Sequence, residues 1–193
     1  MREIVLLVHD IRSTHNVGSL LRTAEGLGIA HVYFSGYTPF PQLATDDPRL
    51  PHLAAKIDAQ IHKTALDAEK LVPWSVDNNV SERIRQLRAD GYTVLALEQA
   101  PNSVKLPDYQ PPQKVAVLLG REVEGIEPEL LQLCDTTLEI PMFGQKESFN
   151  VVQAAAMTLY HLRFAEAEDQ YTINNRTAHM RVSPSPHSGH SGL

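Results

Sequence analysis

Ile4-Val5-Leu6-Leu7-Val8 is an unbroken run of β-branched and leucine residues near the start of a 193-residue chain. A strand with one wet face alternates apolar and polar residues. An unbroken run is buried on both faces, the position of a central strand in a parallel sheet. The residues that follow agree. Arg12 to Asn16 is a polar loop, and then Val17, Leu20, Leu21, Ala24 and Leu27 recur at helical spacing until Gly28 stops the helix. His31-Val32-Tyr33-Phe34 reads as a second strand. Strand, crossover helix and strand make the repeating unit of a parallel sheet.

The rest of the chain continues the alternation. Gly36 to Pro51 is irregular, with four prolines. Leu53 to Leu71 reads as short helices around a polar loop. Ser81 is placed to cap a helix that carries Ile84 and Leu87 inward and stops at Gly91. Tyr92 to Leu97 is a strand, and Pro101 to Pro112 is a proline-punctuated connection. Val115 to Leu119 is a strand ending at Gly120. Glu127 to Leu133 is a short helix and Thr137 to Ile140 a strand. Ser148 or Asn150 then caps a long helix that runs to about Ala167. That last helix is apolar almost all round, which suits a deep core or a subunit interface and predicts a homodimer. The pattern predicts one α/β domain over residues 1–168, mainly a parallel sheet with helices on both faces. Residues 169–193 are expected to be a polar, flexible tail.

Composition narrows the class. With 42% hydrophobic and 21% charged residues the chain suits a single compact domain, neither collagen-like nor disulfide-built. The one cysteine, Cys134, has no partner to pair with, which fits a reducing compartment and a small buried residue. Ile4–Val8 is too short for a leader peptide, and no apolar run approaches membrane-spanning length; a cytoplasmic protein is expected, with no membrane partner. There is no GxGxxG after the first strand and no GxSxG. Gly120 and Gly125 have phosphate-loop spacing, but Ile126 stands where a lysine would be needed. The nine histidines form no metal-ligand spacing, so no metal is expected. The formal charge of −6 argues against a bulk-basic nucleic-acid binder. The acidic excess is uneven, however: residues 1–40 carry three basic and three acidic side chains, whereas residues 114–165 carry four and seven.

Ligands of open α/β sheets sit beyond the carboxyl ends of the strands, and three unusual segments fall there. In the first, Asn16 stands where a helix cap belongs, and Gly18 and Arg22 share one helical face. A glycine at position 18 allows another backbone to come close. In the second, Gly120-Arg121-Glu122-Val123-Glu124-Gly125 is a glycine-bounded acidic loop after a strand. In the third, Ile140-Pro141-Met142-Phe143-Gly144 leads through Lys146, Glu147, Ser148 and Asn150 into a helix N-terminus, where backbone N–H groups can hold an anion. Taken singly, each also reads as an ordinary cap or turn.

Together and in this order, the three segments resemble the three motifs of the SpoU (TrmH-like) branch of the SPOUT RNA methyltransferases, over about residues 3–165. Asn16, Gly18, Arg22 and Ala24 match the first motif. Gly120, Glu122 and Gly125 match the second, and Ile140, Pro141, Met142, Gly144, Glu147, Ser148 and Asn150 the third. Val123, Phe149, Val152 and Gln153 depart from the usual residues. The resemblance implies a sheet whose C-terminal segment is threaded into a trefoil knot, and a homodimer. It implies S-adenosylmethionine as cofactor, held by Leu118, Leu119, Gly120, Ile140, Met142, Ser148 and Asn150. It further implies methyl transfer to a ribose 2′-hydroxyl in structured RNA, tRNA or rRNA, with no DNA partner. Arg22, Asn16, Glu122, Ser148 and Asn150 would be the catalytic group, and Arg12, Arg22, Arg121 and Lys146 the RNA contacts. An arginine is a poor base, because its guanidinium stays protonated; phosphate binding is the safer role for Arg22. The rival reading is a catalytically silent RNA-binding or assembly factor on the same fold.

Overall fold

The computed structural model describes residues 1–165. The last helix ends at Phe164, short of the expected Ala167, and the tail at 169–193 lies outside the described residues. Seven strands form one sheet: β1 (Glu3–His9), β2 (His31–Ser35), β3 (Trp74–Asp77), β4 (Thr93–Leu97), β5 (Val104–Lys105), β6 (Lys114–Leu119) and β7 (Thr136–Glu139). Their order is β3-β2-β1-β6-β4-β7-β5, and every pairing is parallel. Ile4 to Val8 is fully buried, with β2 on one side and β6 on the other. The run that opened the sequence is therefore central, as its pattern predicts.

Alternate residues of β1 feed two cores, because successive side chains point to opposite faces. Ile4, Leu6 and Val8 join α1 (Thr14–Gly26), α2 (Pro51–Ala65), α3 (Ala68–Leu71) and α6 (Val151–Phe164). Val5 and Leu7 join α4 (Val80–Ala89) and Leu130 of α5 (Pro128–Leu131) on the other face. Helices thus cover both faces, as expected.

Four local expectations change. Ser13, not Asn16, caps α1: its hydroxyl accepts the Asn16 N–H at 3.2 Å. Asn79, not Ser81, caps α4, accepting from Glu82 N–H at 3.1 Å. The region 53–71 is one long helix and a short one, divided by Leu66 and Asp67 in left-handed geometry. β3 and β5 were not expected; they are the two edges of the sheet. Among the described residues no helix is long and apolar enough to cross a membrane.

Candidate active site

The first motif is built on α1. With Ser13 as the cap, the Asn16 side chain is free to reach outward. Its Nδ2 donates to Glu122 Oε1 at 3.2 Å, and the Arg12 N–H reaches Glu122 Oε2 at 3.4 Å. Motif one and motif two thus meet, although 106 positions separate Asn16 from Glu122. Gly18 is buried against α2. A Cβ there would lie 2.2 Å from Thr64 Oγ1 and 2.3 Å from the Ile61 carbonyl. Only a glycine lets the two helices come this close, so the close approach expected at this position is present. Arg22, one turn further, is exposed and has no ion-pair partner among the described residues. It opens on a cleft of about 470 Å³ between α1 and α2, lined also by Ser19, Thr23, Lys63, Thr64 and Val152. Arg12 is exposed, 3.8 Å from Glu124, with its guanidinium over the Tyr37 ring.

The second motif follows β6. Arg121 and Gly125 exchange two backbone hydrogen bonds of 3.2 Å, which pinch off an exposed tip of Glu122, Val123 and Glu124. Gly120 packs under Ile126, where a Cβ would be 2.5 Å from Ile126 Cγ1. Glu98, just past β4, accepts the Ile126 N–H at 2.9 Å and steadies the far side of the loop. The Arg121 guanidinium does not face outward. Its Nε and Nη2 bind Asp10 Oδ2 at 3.1 and 3.0 Å, and Nη2 also binds Glu127. Asp10 is only 5% exposed and sits at positive φ. The hydrogen bonds to Asp10 hold Arg121 firmly in its charged form.

The third motif follows β7. Ile140, Pro141 and Met142 are half-buried, and residues 143–150 are exposed, Phe143 at 98%. Asn150 caps α6, its Oδ1 accepting the Val152 N–H at 2.9 Å; Ser148 does not cap. Gln99 Nε2 ties the loop down through the Glu147 carbonyl at 2.8 Å. Between the three strand ends lies a cleft of about 290 Å³. Leu97, Leu119, Leu138, Ile140 and Val151 give it an apolar lining, and Gly120, Gly125 and Ser148 a polar one. Glu98, Glu122, Glu124, Glu139 and Glu147 also line it, with the Glu139 carboxylate paired to Lys105 and that of Glu124 3.8 Å from Arg12.

The sequence-predicted residues divide accordingly. Leu119, Gly120, Ile140, Ser148 and Glu122 line this cleft. Leu118 is fully buried in the core of the opposite face, because it alternates with Leu119. Met142 and Asn150 lie in the same loop without lining the cleft, and Lys146 is exposed within that loop. Arg121 borders the cleft with its guanidinium turned to Asp10 and Glu127. Sequence reasoning passed over Glu98, Gln99, Asp10 and Lys63. For Glu98 a signal existed, a carboxylate immediately after a strand whose end faces the other motifs. For Lys63 there was none.

These features define a class: a wholly parallel α/β sheet with helices on both faces and a cleft at the carboxyl ends of its strands, bordered by the N-terminus of the final helix. The chain belongs to the SpoU rRNA Methylase family, which matches it over residues 3–160. It is 29% identical over 160 residues to the 23S rRNA (guanosine-2'-O-)-methyltransferase RlmB of Neisseria meningitidis, covering 83% of this chain and 58% of that protein. It is 25% identical to the tRNA (guanosine(18)-2'-O)-methyltransferase of Borreliella burgdorferi, covering 89% of this chain and 72% of that one. The crystal structure of an AdoMet-bound rRNA methyltransferase from Sinorhizobium meliloti shares the fold, with a TM-score of 0.70 at 24% identity, over 83% of this chain and 56% of that chain. This chain thus spans a little over half the length of the first of these relatives.

Proposed function

We propose that this protein transfers a methyl group from S-adenosylmethionine to a ribose 2′-hydroxyl of tRNA or rRNA, as a homodimer in the cytoplasm. The observation that carries the reading is the meeting of the three motifs at one end of the sheet. Asn16 of the first holds Glu122 of the second, beside a cleft that Ser148 of the third also lines.

The cleft suits the cofactor. Its volume stands at the lower end of the range for small-molecule sites, about 300–1,000 Å³. Its apolar floor can take a flat base, and its carboxylates favour a cationic guest. Leu119, Gly120, Ile140 and Ser148 are the residues placed to hold it. When bound, the cofactor supplies a methyl already activated on a sulfonium, so the protein has to align the hydroxyl and receive its proton. Glu122, which lines the cleft and is held by the first motif, is the carboxylate assigned to that task. Asn16 fixes it through one oxygen, and the Arg12 N–H bonds the other. Arg22 has its guanidinium free for a phosphate, whereas Arg121 serves as a strut between Asp10 and Glu127.

Two features support the dimer. Met157, Tyr160 and Phe164 form a stripe on α6 that is 37%, 60% and 61% exposed. A second copy would cover it. Arg22 also lies across the first turn of α6 from the cofactor cleft: Val152 lines one cleft, Val151 and Ala154 the other. A partner subunit would bring an Arg22 to the cleft. The family's knotted threading of residues after β7 belongs to the same proposal.

The test is incubation with methyl-labelled S-adenosylmethionine and unfractionated tRNA or rRNA, followed by digestion to nucleosides. The expected product is a 2′-O-methylated nucleoside, lost with Glu122→Gln. RNA binding without any calorimetric heat from S-adenosylmethionine would replace the enzyme reading with the silent binding factor.

A further inference from the structure

Among the described residues, most cations are paired within the protein itself. Arg12, Arg49, Lys70, Arg83, Arg85, Arg88, Lys105, Lys114 and Arg121 have carboxylate partners. Arg2 and Arg163 are spent on backbone carbonyls. Among the described residues, only Arg22, Lys56, Lys63 and Lys146 have neither kind of partner. Two of those four, Arg22 and Lys63, line the same cleft between α1 and α2.

The geometry of that cleft is specific. Ser19, Arg22 and Thr23 sit at i, i+3 and i+4 on one face of α1. Lys63 and Thr64 belong to the last turn of α2, held alongside because Gly18 lets the helices touch. Thr64 Oγ1 donates to the His15 carbonyl at 2.9 Å and fixes that turn. No carboxylate lines the cleft. Two like charges directed into one space without an acid between them disfavour each other, and an anion would relieve this. Lys56 lies seven residues before Lys63 on the same face of α2 and extends the positive surface.

We propose that this cleft is a second phosphodiester-binding subsite. Lys63 takes the RNA backbone phosphate next to the one held by Arg22, with the Ser19 and Thr23 hydroxyls as further donors. This inference rests on the reading of the chain as an RNA 2′-O-methyltransferase. It adds a positioning contact that none of the three motifs contains. The C-terminal dipole of α2 favours a cation at Lys63 in any case, so the stability of a variant does not test the inference; the salt dependence of RNA binding does.

The experiment measures anisotropy of end-labelled unfractionated tRNA with the full chain across about 50–200 mM salt. Loss of one phosphate contact lowers the slope of log K against log salt by about 0.7–0.9, and weakens binding about 5–8-fold near 0.1 M salt. Lys63→Gln should show both changes, and Lys63→Arg should restore them. Arg85→Gln, on the opposite face, should show neither. In turnover, Lys63→Gln should raise KM for RNA more than it lowers kcat. An unchanged slope for Lys63→Gln beside a shallower one for Arg22→Gln would overturn the subsite and leave the enzyme reading intact. A shift of Lys63→Gln to monomer in sedimentation would also overturn it, by placing Lys63 in the subunit contact. Failure of the parent protein to bind RNA at any salt would remove both readings.

Discussion

Gly18→Ala sets two effects of known size against each other. In a helix, alanine is favoured over glycine by about 1 kcal/mol, partly through the unfolded chain. At Gly18 the new Cβ would lie 2.2 Å from Thr64 Oγ1, 2.3 Å from the Ile61 carbonyl oxygen and 3.0 Å from Ala65 N. An ordinary C···O contact is about 3.3 Å or more, so α1 and α2 must part by about 1 Å. A gap of that size forfeits a quarter to a half of each dispersion contact across it, and the fully buried Ile61 and Leu21 belong to that core. Overpacking costs about 1–3 kcal/mol, towards the upper end where backbone is struck. The net result is a loss of about 1–2 kcal/mol, which lowers Tm by about 2–8 °C in a chain of this length. Calorimetric melting at fixed protomer concentration measures it. Thr64→Ala in the same chain should not rescue it, because the Ile61 carbonyl remains. RNA affinity should fall as Lys63 moves away from Arg22, while S-adenosylmethionine affinity holds. A variant as stable as the parent, or more so, would refute the reasoning.

Gly120→Ala should act on the other cleft. A Cβ 2.5 Å from Ile126 Cγ1 forces the 121–125 loop open, and S-adenosylmethionine affinity should fall about tenfold or more by calorimetry, a cost of about 1.4 kcal/mol; an unchanged Kd would show that the loop does not shape the cofactor site. Arg121→Gln should lower the urea midpoint by stripping Asp10 of its partner, and should leave the RNA salt slope where it was; a shallower slope would make Arg121 a phosphate ligand after all. Burial, with Asp135 adding to it, pushes the Cys134 thiol up to about 12. At pH 8 the folded protein should therefore alkylate far more slowly than the urea-unfolded chain, whose thiol titrates near 8.5. Since the fold favours the neutral thiol, its contribution to stability is present below that value and fades as pH rises from about 8.5 towards 12. Equal labelling rates would contradict this.

The strands that the sequence revealed and those it hid differ in one physical respect. β1, β2, β4 and β6 carry apolar runs because neighbours cover them, and β1 and β6 are buried almost throughout; β7 buries only Leu138. β3 and β5 are the sheet edges. Trp74–Asp77 is only half-buried and Val104–Lys105 is exposed, so pairing with β2 and β7, rather than their own pattern, makes them strands. The caps slipped for a related reason. Ser, Asn and Asp all suit an N-cap, and local sequence does not choose between Asn79 and Ser81, or between Ser13 and Asn16; packing of Val80 and Val17 into the core decides. The polar motif residues were legible one by one. Their partners were not. Nothing local distinguishes Arg121, bound to Asp10, from Arg22, which lines a cleft without an ion-pair partner among the described residues.

That distinction also changes what the net charge of −6 means. A total counts every arginine alike, whereas a polyanion meets only those that the protein has not already neutralised. Here the free cations Arg22 and Lys63 share a cleft with no carboxylate, and the other cleft is lined by Glu98, Glu122 and Glu147, which have no cationic partner among the described residues, as well as by Glu124 and Glu139, which are paired with Arg12 and Lys105. The first turn of α6 stands between them, with Val152 on one side and Val151 and Ala154 on the other. Under the proposed function, a cationic methyl donor and an anionic backbone would each be drawn to a different side of a single helical turn. An overall negative surface keeps non-specific RNA off the rest of the molecule. Recognition would then depend on the few positions where two free cations coincide, and there a single substitution should register as a change of slope with salt.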